Sequence, residues 1–354
     1  MARLLSTIDN ETSDNDRPFL TMTGVFMANR LNVIYLPGRG ADPTWETEVV
    51  RAIDPRHNLT IYDESQPLAP QFAEVDAVVD LGGSWGTREM LDAAPKVRFW
   101  QILGTGMEHF DFDYWSSRPV MISNCPGPMS AIGLAEHAML LMMLVRRDFP
   151  QQMVNVANGL MYQPLGLELV DQTLLCIGFG ASARELSRRA SAFGMRVLAT
   201  DVVDVDAATR REWGAEAVYP ADRLDELIPQ ADVISLHLHV TPETRHTLNA
   251  RRIAMMKPTA IIVNVARGAL VDEDAMIVAV REGRIAGAGT DVATQEPPDR
   301  DSPLLTTPGI VVTPHTAGVT DGTARRRAEG AAINLDRIAA GQEPLYRVDR
   351  LQTA

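Results

Sequence analysis

At 354 residues and 45% apolar composition the chain is long enough for two domains, each with a buried core. A net charge of −13 and a pI near 5.0 argue against nucleic acid or an anionic membrane as partner, and the one basic run, Arg325-Arg326-Arg327, reads as the solvated face of a helix. Two cysteines, Cys125 and Cys176, exclude a disulfide framework and imply a reducing cytoplasm.

No signal-peptide pattern opens the chain, and the longest apolar stretch, Leu134 to Val145, contains Glu136 and His137 and is too short to span a bilayer. Residues 1–29 are polar and without periodicity, which predicts a loosely attached extension; Met27 is an equally good start. Order begins with a strand at Leu31 to Leu36, a helix over Trp45 to Ile53 and a strand at Asn58 to Tyr62. Strands at Ala77 to Leu81 and Phe99 to Leu103 run into Gly82-Gly83-Ser84 and Gly104-Thr105-Gly106. Such loops expose backbone N–H groups at the strand ends where open α/β sheets bind ligands, which makes Gly82, Gly83 and Gly106 candidate substrate contacts. After a strand at Val120 to Ser123 and the Pro126-Gly127-Pro128 breaker comes a helix from about Ala131 to Arg147. It is apolar nearly all round, so it should be buried, between domains or between subunits.

The next stretch organises the whole chain. Leu174 to Ile177 is an apolar strand, Gly178-Phe179-Gly180-Ala181-Ser182-Ala183 a glycine turn, Arg184 to Gly194 an amphipathic helix, and Met195 to Thr200 a second strand ending in Asp201. Gly178 permits the tight turn, and Gly180 lets a pyrophosphate approach the backbone at a helix N-terminus, where free N–H groups favour anions. Ala183 replaces a third glycine at a position that needs only to be small. Asp201 stands where a carboxylate accepts bonds from ribose hydroxyls, and no basic residue lies between Val202 and Ala208. NAD is the expected cofactor, and no metal is expected.

Past Asp201 the strand and helix pattern repeats: Asp232 to His237, Ala260 to Val265, Gly287 to Val292 and Ile310 to Val312 are strands, with helices such as Asp272 to Arg281 between them. The fold class is therefore α/β with doubly wound parallel sheets. Arg267, Glu296 and His315 each follow a strand of the same sheet, and loops at the carboxyl ends of parallel strands converge on one crevice. An arginine, an acid and a histidine suit a carboxylate-bearing substrate that must gain or lose a proton.

Asn264-Val265-Ala266-Arg267-Gly268-Ala269-Leu270-Val271-Asp272, then Gly283-Arg284-Ile285-Ala286-Gly287, Asp291-Val292 with Glu296-Pro297, and Thr313-Pro314-His315 together resemble the D-isomer-specific 2-hydroxyacid dehydrogenases. The likeness runs from about residue 75 to 345. It implies that Arg267 holds the substrate carboxylate and carbonyl, that His315 is the acid/base and that Glu296 pairs with it. It implies a Rossmann-type NAD domain at 124–317, inserted in a discontinuous flavodoxin-like substrate domain made of 30–123 and 318–354. Gly178, Gly180, Ala181, Ser182, Asp201, His237, Val265, Ala266, Arg267, Asp291 and His315 are then the expected cofactor contacts, and a homodimer through the NAD domain is the expected assembly. Two departures stand out. The usual Arg-Ile of the glycine turn is Ala181-Ser182, so that Ser182 offers a hydroxyl in place of a guanidinium, and the proline of the fourth strand's motif is His239. The loop Leu81 to Thr87 has no basic residue, which disfavours phosphorylated substrates, and Glu296 disfavours formate, whose oxidising relatives carry an amide there. An NAD-sensing co-repressor or scaffold of the same fold is the alternative from another class.

Overall fold

A computed structural model describes residues 29–82, 85–107, 110–115 and 117–349, so that the extension expected at 1–29, but for Asn29, and the Gly83 contact lie outside the described residues. Residues 29–129 with 320–349 form one compact unit and residues 130–319 the other.

The first unit holds five parallel strands, β1 (Asn32–Leu36), β2 (Asn58–Ile61), β3 (Ala77–Asp80), β4 (Phe99–Ile102) and β5 (Met121–Ser123), in the order β2-β1-β3-β4-β5. Every residue of β3 and β4 is buried, as continuous apolar runs must be when helices cover both faces of a sheet. Helix α1 (Thr44–Ile53) turns Trp45, Val49, Ala52 and Ile53 inward, the one-sided spacing of an amphipathic helix. Trp100 and Trp115 are fully buried and meet edge to face at 5.2 Å. They are core residues.

The second unit holds seven parallel strands: β6 (Thr173–Ile177), β7 (Arg196–Asp201), β8 (Ala217–Pro220), β9 (Val233–Leu236), β10 (Ile261–Asn264), β11 (Gly287–Thr290) and β12 (Ile310–Val312). Their order is β12-β11-β10-β9-β6-β7-β8, so the connections reverse direction at β6. Strand β8 has no counterpart in the sequence reading. It is a half-buried edge strand ending in a proline, and neither an apolar run nor a clean alternation marks it.

The apolar helix α2 (Ala131–Arg146) packs against α4 (Ala181–Ala192) and strands β10 to β12 of its own unit, while Leu140 on its outer side is 42% exposed. The glycines of β11 make this possible: a Cβ on Gly289 would lie 2.8 Å from Leu141 Cβ, and one on Gly287 2.8 Å from Val145. The helix α3 (Phe149–Ala157) that follows is the exposed one, with Met153, Val154 and Val156 more than half accessible and Met161, Tyr162 and Leu165 beyond it likewise. Helix α5 (Glu273–Arg281) is capped by Asp272, whose carboxylate accepts from Ala275 N–H.

The chain then returns to the first unit as α6 (Asp321–Ala339), whose Ala328, Ala331, Ala332, Leu335 and Ile338 join the core around α1 and β1. Its arginines correct an expectation. Only Arg325 is solvated; Arg326 donates to the Met129 carbonyl at 2.8 Å, and Arg327 donates to the Thr105 hydroxyl at 3.1 Å and lies over the Trp45 ring. Long side chains of this kind bury their stems beneath a polar head. Both cysteines are buried free thiols, pushed up to about 12 by that burial, and are chemically inert there. Among the described residues no helix is long and apolar enough to cross a membrane.

Candidate active site

The glycine turn leaves β6 with Gly178 at φ +91°, a left-handed conformation that disfavours any side chain. A Cβ would also lie 2.6 Å from the His237 carbonyl oxygen. Gly180 is the N-cap of α4 and adds no side chain, so the first N–H groups of the helix, which have no intrahelical partner, face outward. Ala183 is fully buried beside Cys176 and Leu186, which explains why that position must be small. At the end of β7, Asp201 accepts the Phe179 N–H at 2.6 Å and the Val203 N–H at 2.9 Å. Each carboxylate oxygen keeps a second lone pair for a hydroxyl. A dinucleotide fits this donor and acceptor set: bare amides at a helix N-terminus for the pyrophosphate, and an acid one strand away for the ribose.

His237, at the end of β9, stands against the turn. Its Nδ1 lies 3.0 Å from Ser182 Oγ and its Nε2 2.9 Å from the buried Ser235 Oγ. Burial pushes its pKa down to about 3, so the ring is neutral at cytoplasmic pH. His239, two residues on, is exposed.

At the carboxyl end of β10, two strands along the same sheet from β6, the loop carries Val265, Ala266 and Arg267. Asn264 holds it: its carbonyl oxygen accepts the Ala266 N–H at 3.1 Å and its amide donates to the Arg267 carbonyl at 2.9 Å. A Cβ on Gly268 would lie 2.1 Å from the Ala293 carbonyl oxygen, so the loops of Arg267 and Glu296 run in direct contact. Glu296 Oε1 accepts the Ala293 N–H at 3.0 Å, and Oε2 lies 2.7 Å from His315 Nδ1. With Nδ1 committed, Nε2 is the nitrogen left to exchange a proton. The hydrogen bond and charge of Glu296 raise the His315 pKa above 6.5 against burial and the Arg267 charge. Burial alone would raise the Glu296 carboxyl, but His315, the Ala293 amide and Arg267 outweigh it and hold it below its ordinary value. The structure thus brings Arg267, Glu296 and His315 together within one unit.

Asp291 is buried behind them. One oxygen accepts from the Thr313 hydroxyl and the Thr316 N–H at 2.6 and 2.9 Å, and the other from the Ala317 N–H at 2.7 Å. His137, from α2, donates through Nε2 to Thr313 Oγ at 2.8 Å. The loop that presents His315 is therefore pinned from below. Nothing in the periodicity of the sequence marks Asn264 or His137 and Thr313 as supports of the Arg267 and His315 loops; the places of Asn264 and Thr313 inside the quoted motifs are the only signal.

In the five-stranded unit Gly82 and Gly106 lie in the loops after β3 and β4. The Gly82 N–H donates to Asp80 Oδ1 at 3.2 Å, and the loop of Gly106 is fastened by Asn124, which donates to the Thr105 carbonyl at 3.0 Å. Among the described residues no cluster of His, Cys, Asp and Glu could hold a metal ion.

Comparison with known proteins agrees with this geometry. Residues 139–317 match the model of the D-isomer specific 2-hydroxyacid dehydrogenase NAD binding domain. The chain is 34% identical over 292 residues to a glyoxylate reductase of Korarchaeum cryptofilum, covering 80% of this chain and 86% of that one. It is 33% identical over 279 residues to the D-3-phosphoglycerate dehydrogenase of Methanocaldococcus jannaschii, covering 78% of this chain but only 52% of the longer relative. The crystal structure of a D-lactate dehydrogenase from Aquifex aeolicus, complexed with NAD and lactic acid, superposes with a TM-score of 0.70 at 27% identity over 88% of this chain and 96% of that one. A glycine turn fitted to a dinucleotide, a histidine and acid pair beside an arginine, and these likenesses lead to one conclusion: the chain belongs to the D-isomer-specific 2-hydroxyacid dehydrogenases, a family of NAD-dependent oxidoreductases.

Proposed function

We propose that this protein interconverts 2-oxo acids and D-2-hydroxy acids, with Arg267 binding the carboxylate and His315 moving the proton. The observation that carries the reading is the 2.7 Å contact of His315 Nδ1 with Glu296 Oε2 beside Arg267. The nicotinamide cofactor, when bound, would supply a hydride to C2 in its reduced form and accept one from C2 in its oxidised form. The guanidinium makes two parallel bonds to the carboxylate, which fixes the orientation of C2. The developing alkoxide takes its proton from His315 Nε2, and Glu296 stabilises the imidazolium that precedes this transfer. Gly82 and Gly106 are proposed as backbone contacts of the five-stranded unit to a substrate. The absence of a basic residue between Leu81 and Thr87 favours an unphosphorylated acid. Val265, Ala266 and the glycine turn are proposed to line the cofactor. The contacts of Asp291 support a role in holding the His315 loop as well. Turnover of NADH with a panel of unphosphorylated 2-oxo acids is the test. Tight NADH binding with no turnover on any of them would favour a nucleotide sensor instead.

We propose in addition a cytoplasmic homodimer, supported by the free thiols and by the exposed apolar side chains of α3 and the segment after it. Light scattering should give twice the monomer mass at concentrations well above micromolar.

A further inference from the structure

We infer that His237 and Ser235 act as a relay that orients the Ser182 hydroxyl, so that Ser182 is a donor to the cofactor pyrophosphate in place of the family's usual arginine. The three side chains are in line. Ser235 Oγ lies 2.9 Å from His237 Nε2, and His237 Nδ1 lies 3.0 Å from Ser182 Oγ, on the first turn of α4.

The direction of the relay follows from where protons can go. The half-buried ring is neutral and carries one N–H, on Nδ1 or on Nε2. Ser235 is fully buried in β9, and His237 is its side chain's one hydrogen-bond partner among the described residues. If Nε2 carried the proton, the Ser235 O–H would point into the core with no acceptor, at the cost of an unmade buried hydrogen bond. If Nε2 is bare, the Ser235 O–H donates to it and Nδ1 carries the proton. Nδ1–H then donates to Ser182 Oγ and leaves the Ser182 hydroxyl hydrogen free. That hydrogen joins the unpaired amides of the first turn of α4, which all present positive charge to an anion. The opposite tautomer would draw the Ser182 hydrogen into the ring and turn its lone pairs toward the phosphate. His237 is thus a positioning residue, and Gly178 lets it stand this close, since any Cβ there would strike the His237 carbonyl.

The inference rests on the family's nucleotide site and not on the roles of Arg267, Glu296 and His315. Ring 15N shifts of His237 in the free protein, assigned by its loss in His237→Phe, should report a protonated Nδ1 and a bare Nε2. Calorimetry with ADP-ribose, which carries the pyrophosphate but no nicotinamide, should show Ser182→Ala weakening binding on the order of tenfold. His237→Phe should weaken it similarly, and the double variant should bind no worse than Ser182→Ala alone. Ser235→Ala, a small change inside the strand, serves where the phenylalanine disturbs folding: it should move ring protonation toward Nε2 and weaken ADP-ribose a few-fold. A protonated Nε2 in the wild type, unchanged ADP-ribose affinity in Ser182→Ala, or additive losses in the double variant would each overturn the relay.

Discussion

At the glycine turn Asp201 is bonded to two backbone amides and His237 is a neutral ring between two serines, whereas at the far end of the same sheet His315 and Glu296 face each other with half of the imidazole side chain exposed. The neutral His237 ring keeps its single proton across physiological pH. The second arrangement keeps one proton ready to leave. Binding a nucleotide asks for donors and acceptors that never change sign, while reducing a ketone asks for an acid whose pKa lies near the working pH. One sheet serves both needs by burying one histidine without a charge and giving the other a carboxylate.

Breaking the mobile-proton end should have the largest effect. His315→Ala should lower kcat/KM for 2-oxo acid reduction on the order of 10²-fold or more and remove the high-pH titration, while the NADH dissociation constant from fluorescence titration changes far less than the rate. Comparable losses in both would place His315 at the nucleotide end instead. Arg267→Lys keeps the charge but loses the planar fork; a rise in KM and a fall in kcat, together on the order of tenfold or more, are expected from steady-state kinetics. Unchanged kinetics would remove Arg267 from the mechanism.

Glu296→Gln sharpens the contrast without deleting a side chain. Reduction needs protonated His315, so it is supported below the raised His315 pKa and lost as pH climbs through it. Without the carboxylate that pKa falls back, and the descending limb of the kcat/KM profile should begin at a lower pH than in the wild type. Overlaid profiles between pH 5 and 9 would sink the pairing. The smallest effect belongs to the fixed end: Asp201→Ala should narrow a preference for NADH over NADPH, since the carboxylate that repels a 2′-phosphate is gone. Equal kcat/KM for the two cofactors in the wild type would contradict the premise.

The strands and the site were legible in the sequence to different depths. Continuous apolar runs ending in glycine, arginine, acid or histidine marked most strands, because a parallel sheet buried on both faces leaves no polar alternation to confuse the pattern. Edge strand β8 and helix α3 escaped, the one only four residues long and half-buried, the other apolar yet exposed. Gly178 and Gly180 were readable because only glycine suits a bare, tight turn. The Ser182 to His237 contact was not, since it joins residues 55 positions apart through side chains whose approach only the folded sheet decides. For the same reason Arg326 and Arg327 read as surface charge, although their guanidinium groups are tied to loops of their own unit.

The five-stranded unit is interrupted between Met129 and Thr320, and this has a consequence for the order of events on the ribosome. Residues 130–319 emerge as an uninterrupted stretch and can close their seven-stranded sheet as soon as β12 is made. The earlier-synthesised β1 to β5 must wait with their core uncovered, because Ala328, Ala331, Leu335 and Ile338, which pack against Val33, Val49 and Ile53, come last. At bacterial-to-eukaryotic elongation speeds of about 5–20 residues per second, the intervening residues impose a delay on the order of ten to forty seconds. The half of the protein that begins first therefore finishes last, and its uncovered apolar face is what a chaperone bound to the nascent chain would meet.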